Sequence, residues 1–215
     1  MKVDQFNFSW IDLVIVGILI VGVIRGRSRG ISEELLDVFK WMFVVIVGAL
    51  AYEPLGSLLA ENTMFSRLAA YVAMYTSVAL LLLLIFSFIR QQVGGKITGT
   101  DFFGNSEYYL GMCAGAVRYA CVTLAVMALL NARFYSPAEV QAQIKYQNDN
   151  YGSMYFPTLC TVQHEVFVQS FIGRLTGDYL RLALIKPTAP EEKGLSRAGI
   201  ARRHEQNVYE VLDKK

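Results

Sequence analysis

Between Leu68 and Ile89 the chain runs 22 residues without a charged side chain, through LAAYVAMYTSVALLLLLIFSFI, and that stretch decides the solvent in which it folds. Wound as an α-helix at ~1.5 Å per residue it covers roughly 33 Å, enough for the ~30 Å hydrocarbon core of a bilayer. The chain is therefore read as a membrane protein.

Three other apolar stretches agree. Ile11 to Ile24 is apolar apart from Asp12, Trp41 to Tyr52 is uncharged, and Tyr109 to Leu130 is interrupted only by Arg118. The first two fall short of the ~20 residues a span needs, so each draws on its flanks. Span two then starts near Leu35 and carries Asp37 and Lys40 inside it, at an i, i+3 spacing that lets the two share a helix face and neutralise one another. The alternative makes them a charged first turn at headgroup level, with Trp41 as a belt residue. The predicted fold class is an all-α membrane protein with four transmembrane helices and a C-terminal amphipathic helix. Its predicted divisions are a four-helix transmembrane unit over 1–133, an extramembrane region over 134–186 and a flexible charged tail over 187–215.

The first apolar run resembles a signal peptide in length, but Arg25, Arg27 and Arg29 follow it, only Lys2 precedes it, and no small-residue cleavage site comes after. It is read as an uncleaved span. Ser9-Trp10-Ile11-Asp12 has the S-x-x-D form of a capping box, which gives Asp12 a structural task at a helix start; an intramembrane functional acid is the other reading. Short loops set orientation. Arg25, Arg27, Arg29, Arg90 and Lys96 lie on one face against Lys2, Arg67 and Arg133 on the other, so the first face is expected to be cytoplasmic and both termini periplasmic.

Beyond Leu130 the composition changes, with 11 of the 20 Lys and Arg and 9 of the 18 Asp and Glu in residues 131–215. Within this region Val166, Phe167, Phe171, Ile172, Leu175, Tyr179, Leu182 and Ile185 recur at steps of about three and four, which predicts one amphipathic helix from about Val162 to Ile185. It either lies in the membrane interface or docks on the bundle or a partner. Lys186-Pro187 ends it, and Pro187 to Gly199 reads as a linker before a short charged helix.

The 54% hydrophobic content and net charge of +2 carry no basic stripe for nucleic acid. Cys113 and Cys121 would stand about 12 Å apart on a helix, too far for a disulfide, and Cys160 is alone. His164 and His204 belong to no zinc pattern, and no phosphate-binding glycine loop or serine elbow is present. The expectation is a protein that is not an enzyme and uses no cofactor.

Glycines and one arginine remain. Gly111 and Gly115 are four residues apart in span four, the spacing that lets helix backbones approach in lipid. Gly26 and Gly30, in the first loop, read as a tight turn that needs glycine dihedrals. Arg118 lies near mid-depth, where a guanidinium costs at least ~2.5 kcal/mol unless paired or hydrated. Asp37 is its expected partner and Glu34 the next, in a static ion pair or along a hydrated path.

Trp10-Ile11-Asp12, then Arg29-Gly30 nineteen positions after Trp10, then Glu34 and Trp41, resemble the opening signature of the colicin V production protein family, CvpA. Gly99-Thr100-Asp101 and Leu110-Gly111-Met112-Cys113-Ala114-Gly115-Ala116-Val117-Arg118 resemble its second signature, T-D-R-x-L-G-x-x-x-G-x-x-R-G. Here Phe102 to Ser106 are extra and Tyr119 replaces the glycine after the arginine, so either Asp101 or Glu107 fills the acidic position. The resemblance covers roughly residues 8–135. It implies a four-span bacterial inner-membrane protein tied to colicin V production or export and to envelope homeostasis. The lipid bilayer, further copies of the chain, and envelope or export proteins are the partners it suggests. Asp12, Arg29, Gly30, Glu34, Asp37, Asp101, Gly111, Gly115 and Arg118 are the candidate functional residues. Two readings of function stand: an accessory protein of the membrane, and a small oligomeric channel or transporter with Arg118 in a hydrated path.

Overall fold

The computed structural model describes residues 9–63, 65–97, 104–152 and 158–189. Asp101 and most of the charged tail fall outside them.

Ser9, extended at φ −88° and ψ 155°, starts helix α1 (Trp10–Asn62), and its backbone N–H donates to Asp12 Oδ2 at 3.0 Å, completing the expected cap. α1 is 53 residues long and holds both of the first two expected spans. One residue divides it. Gly30 has φ 75° and ψ 168°, a conformation that L side chains rarely adopt. The second arm begins straight after it, at residue 31 rather than near Leu35. Asp37 and Lys40 thus sit two to three turns inside a helix, not in its first turn.

α2 (Arg67–Ile97) and α3 (Glu107–Asn131) follow. α1, α2 and α3 are all long and apolar enough to cross a membrane. The contacts fix their directions. The glycines at 22 and 26 pack on those at 115 and 111, so the first arm of α1 and α3 run antiparallel. Tyr75 lies over Gly48 and Tyr71 over Gly56, which pairs the second arm with α2 in the same way. Asn131 Nδ2 donates to the Ile185 carbonyl at 3.0 Å, and the next amide, Lys186 N, donates to Tyr52 Oη at 3.1 Å. Tyr52 therefore stands at the end of the bundle that holds Ile11 and Ile15, and all three join one core with Met127, Ala128 and Ala132. The chain reverses at Gly30, leaving four antiparallel rods.

The remaining segments cap the end opposite the bend. α4 (Pro137–Tyr151) begins with a complete capping box between Ser136 and Glu139. α5 (Leu159–His164) runs into a π-helical turn (Glu165–Gln169), and α6 (Phe171–Tyr179) is followed by a 3₁₀ turn (Arg181–Ala183). The expected single helix over Val162–Ile185 is thus broken. Ser170 leaves helical geometry at ψ 138° so that its hydroxyl can accept from Gly173 N and cap α6. The segment docks on the bundle: Ile185 is wholly buried in the core, and Gln163 Nε2 donates to the Leu130 and Arg133 carbonyls at 2.9 and 2.8 Å, satisfying the exposed end of α3. An isolated parallel bridge between Arg133 and Thr188 ties the last described residues down.

Candidate functional site

Charged side chains are expensive inside an apolar bundle, so where they gather is the first place to look for a function. They gather at both ends.

At the bend end, one turn beyond Gly30, Glu34 and Asp37 project from the same face of the second arm. Both are buried, Glu34 completely. Arg118 of α3 reaches them with a single nitrogen, Nη1 lying 2.8 Å from Glu34 Oε2 and 3.0 Å from Asp37 Oδ2. The expected partner and its runner-up are both present. Arg29, the residue before the bend, adds contacts of 3.3 Å to Glu34 and 3.8 Å to Asp37. Lys40 bonds Asp37 Oδ1 at 2.7 Å from i+3, and Arg90 of α2 approaches Asp37 Oδ2 at 3.4 Å. An isolated buried carboxylate would cost several kcal/mol, and here each meets at least two cations. Asp37 thereby joins α1, α2 and α3 through one side chain.

The glycines explain how these helices come close enough. A Cβ at Gly26 or Gly111 would run into the backbone oxygen of the other, and one at Gly115 into the oxygen of Gly22. Gly111 and Gly115 thus serve the close approach expected of them. Gly26 does not form the expected turn with Gly30: it is helical and belongs to this contact. Only Gly30 turns, and Glu107 lies against it, so close that a Cβ there would fall 2.8 Å from the Glu107 Cγ. Glu107 Oε2 and Ser32 Oγ are buried without a hydrogen-bond partner.

At the capped end Asp12 is fully buried and accepts four hydrogen bonds. One is its own N-cap, Ser9. The other three come from the far end of the sequence: the Ser170 hydroxyl at 2.6 Å and the Phe171 and Ile172 amides at 3.0 Å each. Asp12 therefore caps two helices at once, α1 and α6, its charge facing the N-terminal N–H groups of both. Trp10 beside it donates Nε1 to Glu165 Oε2 at 3.0 Å.

Sequence reasoning named Asp12, Arg29, Glu34, Asp37 and Arg118, though it placed Arg29 in a loop; it assigned Arg90 to a loop alone and missed Ser170. Arg90 carried a signal, since it terminates the uncharged run of α2. Ser170 carried none beyond an ordinary cap residue.

In the cap, burial pushes the Cys160 thiol above its usual range, with Glu139 adding to the shift and Arg133 opposing it. The hydrogen bond from Lys186 Nζ to Glu53, at 2.7 Å, raises the lysine. Among the described residues no three His, Cys, Asp or Glu side chains form a group able to hold a metal ion.

The family model described as colicin V production protein matches residues 11–147, from the first arm of α1 into α4. No curated protein and no solved structure matches the chain.

Proposed function

The chain belongs to the colicin V production protein family, and on that premise we propose that it is an accessory protein of the bacterial inner membrane that supports colicin V production or export and envelope homeostasis. On this reading its four rods each cross the bilayer. The Gly30 bend, flanked by Arg25, Arg27 and Arg29, faces the cytoplasm, and the cap faces the periplasm together with both termini. It has no catalytic chemistry of its own, and it works through the bilayer, through other copies of itself and through envelope or export proteins.

The observation that carries this reading is the engagement of both buried acids by Arg118. Arg118 reaches both acids at hydrogen-bond distance, and both acids are buried, which favours a structural ion-pair cluster over a hydrated path. Such a cluster knits three helices into one rigid body, as a scaffold for other proteins requires.

A second reading, a small channel or transporter, draws on a different observation: Arg90 is 51% exposed, so the cluster opens toward the bend end. Flux measured in liposomes containing only this protein separates the two. An accessory protein leaves ion and solute fluxes at the level of empty liposomes. Selective flux that Arg118→Leu abolishes would overturn the accessory reading.

A further inference from the structure

The cluster at the bend satisfies its acids but not its bases. Four cations, Arg29, Lys40, Arg90 and Arg118, converge on two carboxylates, Glu34 and Asp37, so that among the described residues the ion pairs leave a surplus of two positive charges. Glu107, the other acid against Gly30, forms no ion pair with any of the four, and its Oε2 has no hydrogen-bond partner. Each arginine also presents five N–H donors in a fixed fork, and the contacts made by Arg29, Arg90 and Arg118 to the acids all run through Nη1. Among the described residues, no hydrogen bond to an acid uses the Nε or Nη2 donors of these three guanidinium groups.

The excess is not spread evenly. Arg118 is 17% exposed and lies deep, whereas Arg29 and Arg90 rise toward the bend, and both approach the same Asp37 oxygen. Their depth follows from the apolar surface below them. Phe88 on α2 and Ile24 on the first arm of α1 are each 64% exposed, as lipid-facing side chains are, and Arg90 and Arg25 follow them by two and one positions. On the reading that the rods cross the bilayer, Arg90 and Arg29 lie at the level where hydrocarbon gives way to headgroups. Uncompensated guanidinium groups at that level, with planar forks uncommitted, match the geometry of phosphate oxygens.

We propose that the mouth formed by Arg29 and Arg90, backed by Arg118, binds a phosphate group, supplied in the membrane by the phosphodiester of an acidic lipid headgroup. The bound anion completes the charge balance that the protein leaves open and fastens α2 to the bend through Arg90.

The test uses the full chain in nanodiscs of phosphatidylcholine, with the thermal unfolding midpoint followed as phosphatidylglycerol replaces part of the lipid. In a parallel arm inorganic phosphate is added to the phosphatidylcholine discs. The wild-type midpoint should rise with phosphatidylglycerol, Arg90→Gln should lose at least half of that rise, and Arg25→Gln, at an exposed position outside the cluster, should keep it. A rise with inorganic phosphate that Arg90→Gln removes would assign the site to soluble phosphate, and a rise with lipid alone would assign it to the headgroup; both support phosphate recognition at this mouth. Arg90→Gln should fold, because Asp37 retains Lys40 and Arg118, and Arg29→Gln serves in its place if it does not. No rise in the wild type, or an equal rise in the arginine variants, would overturn the proposal.

Discussion

Asp12 Oδ1 accepts the hydroxyl of Ser170 at 2.6 Å, across 158 positions of sequence, and this bond holds the cap onto the bundle. With the two amides that follow Ser170, it makes Asp12 the shared N-terminus of helices that begin and nearly end the described chain. Asp12→Asn should disrupt it, because every group facing the carboxylate is a donor and the new NH₂ must oppose one of them. A loss of about 1.5–3 kcal/mol is expected, the range for hydrogen bonds to a charged group. Thermal unfolding in detergent measures it, and limited proteolysis should show the 158–188 segment released first. A variant as stable and as protected as the wild type would show that Asp12 does not anchor the cap.

Arg118 faces two acids of unequal dependence. Asp37 keeps Lys40 at 2.7 Å when the arginine is removed, whereas Glu34 keeps only Arg29 at 3.3 Å. Arg118→Leu should therefore destabilise by about 3–5 kcal/mol, the cost of stranding a buried charge. Combining it with Glu34→Leu should recover more of that stability than combining it with Asp37→Leu. Double-mutant cycles read the difference directly. Equal coupling to both acids, or strict additivity, would refute this ordering.

Space around the glycines gives a contrast within one helix. Gly17 has nothing within 4 Å of its Cβ position, while a Cβ at Gly26 meets the backbone of α3. Gly17→Ala should be neutral or stabilising by up to about 1 kcal/mol through helix propensity. Gly26→Ala should force the helices apart and destabilise by roughly 1–3 kcal/mol. Unfolding midpoints of the two variants, measured side by side, check the sign as well as the size.

Cys160 offers a pH-dependent readout of the cap. Its thiol is raised by burial, so at neutral pH less thiolate is present than at an ordinary cysteine, and alkylation should run several-fold more slowly than at a solvent-exposed control cysteine. The rate should climb as pH rises above the usual thiol range. Asp12→Asn, by loosening the cap, should raise the Cys160 rate at fixed pH. A reaction at neutral pH as fast as at the control would place Cys160 in an open environment.

The membrane class was readable because the bilayer imposes length and composition together, and the 22-residue run in α2 satisfies both without help from tertiary structure. Arg118 and its acids were readable for a related reason: few carboxylates lie at the depth an arginine in that position can reach. What the sequence hid depends on contacts between distant parts. The break at Ser170 looks like the middle of a regular amphipathic repeat, and only the carboxylate of Asp12, supplied by another helix, makes it worth leaving helical geometry there. Gly26 and Gly30 look alike as a pair, yet one packs and the other turns, a difference set by the approach of α3.

The reversal at Gly30 has a bearing on how such a chain is made. With one residue joining the two arms of α1, a reach of under 4 Å, there is no tether that would let the first arm settle while the second waits. With both arms across the bilayer, as proposed, they would enter as one helical hairpin with a single heading. Arg25, Arg27 and Arg29 lie at its tip, and on the proposed topology they are the charges that resist being carried across.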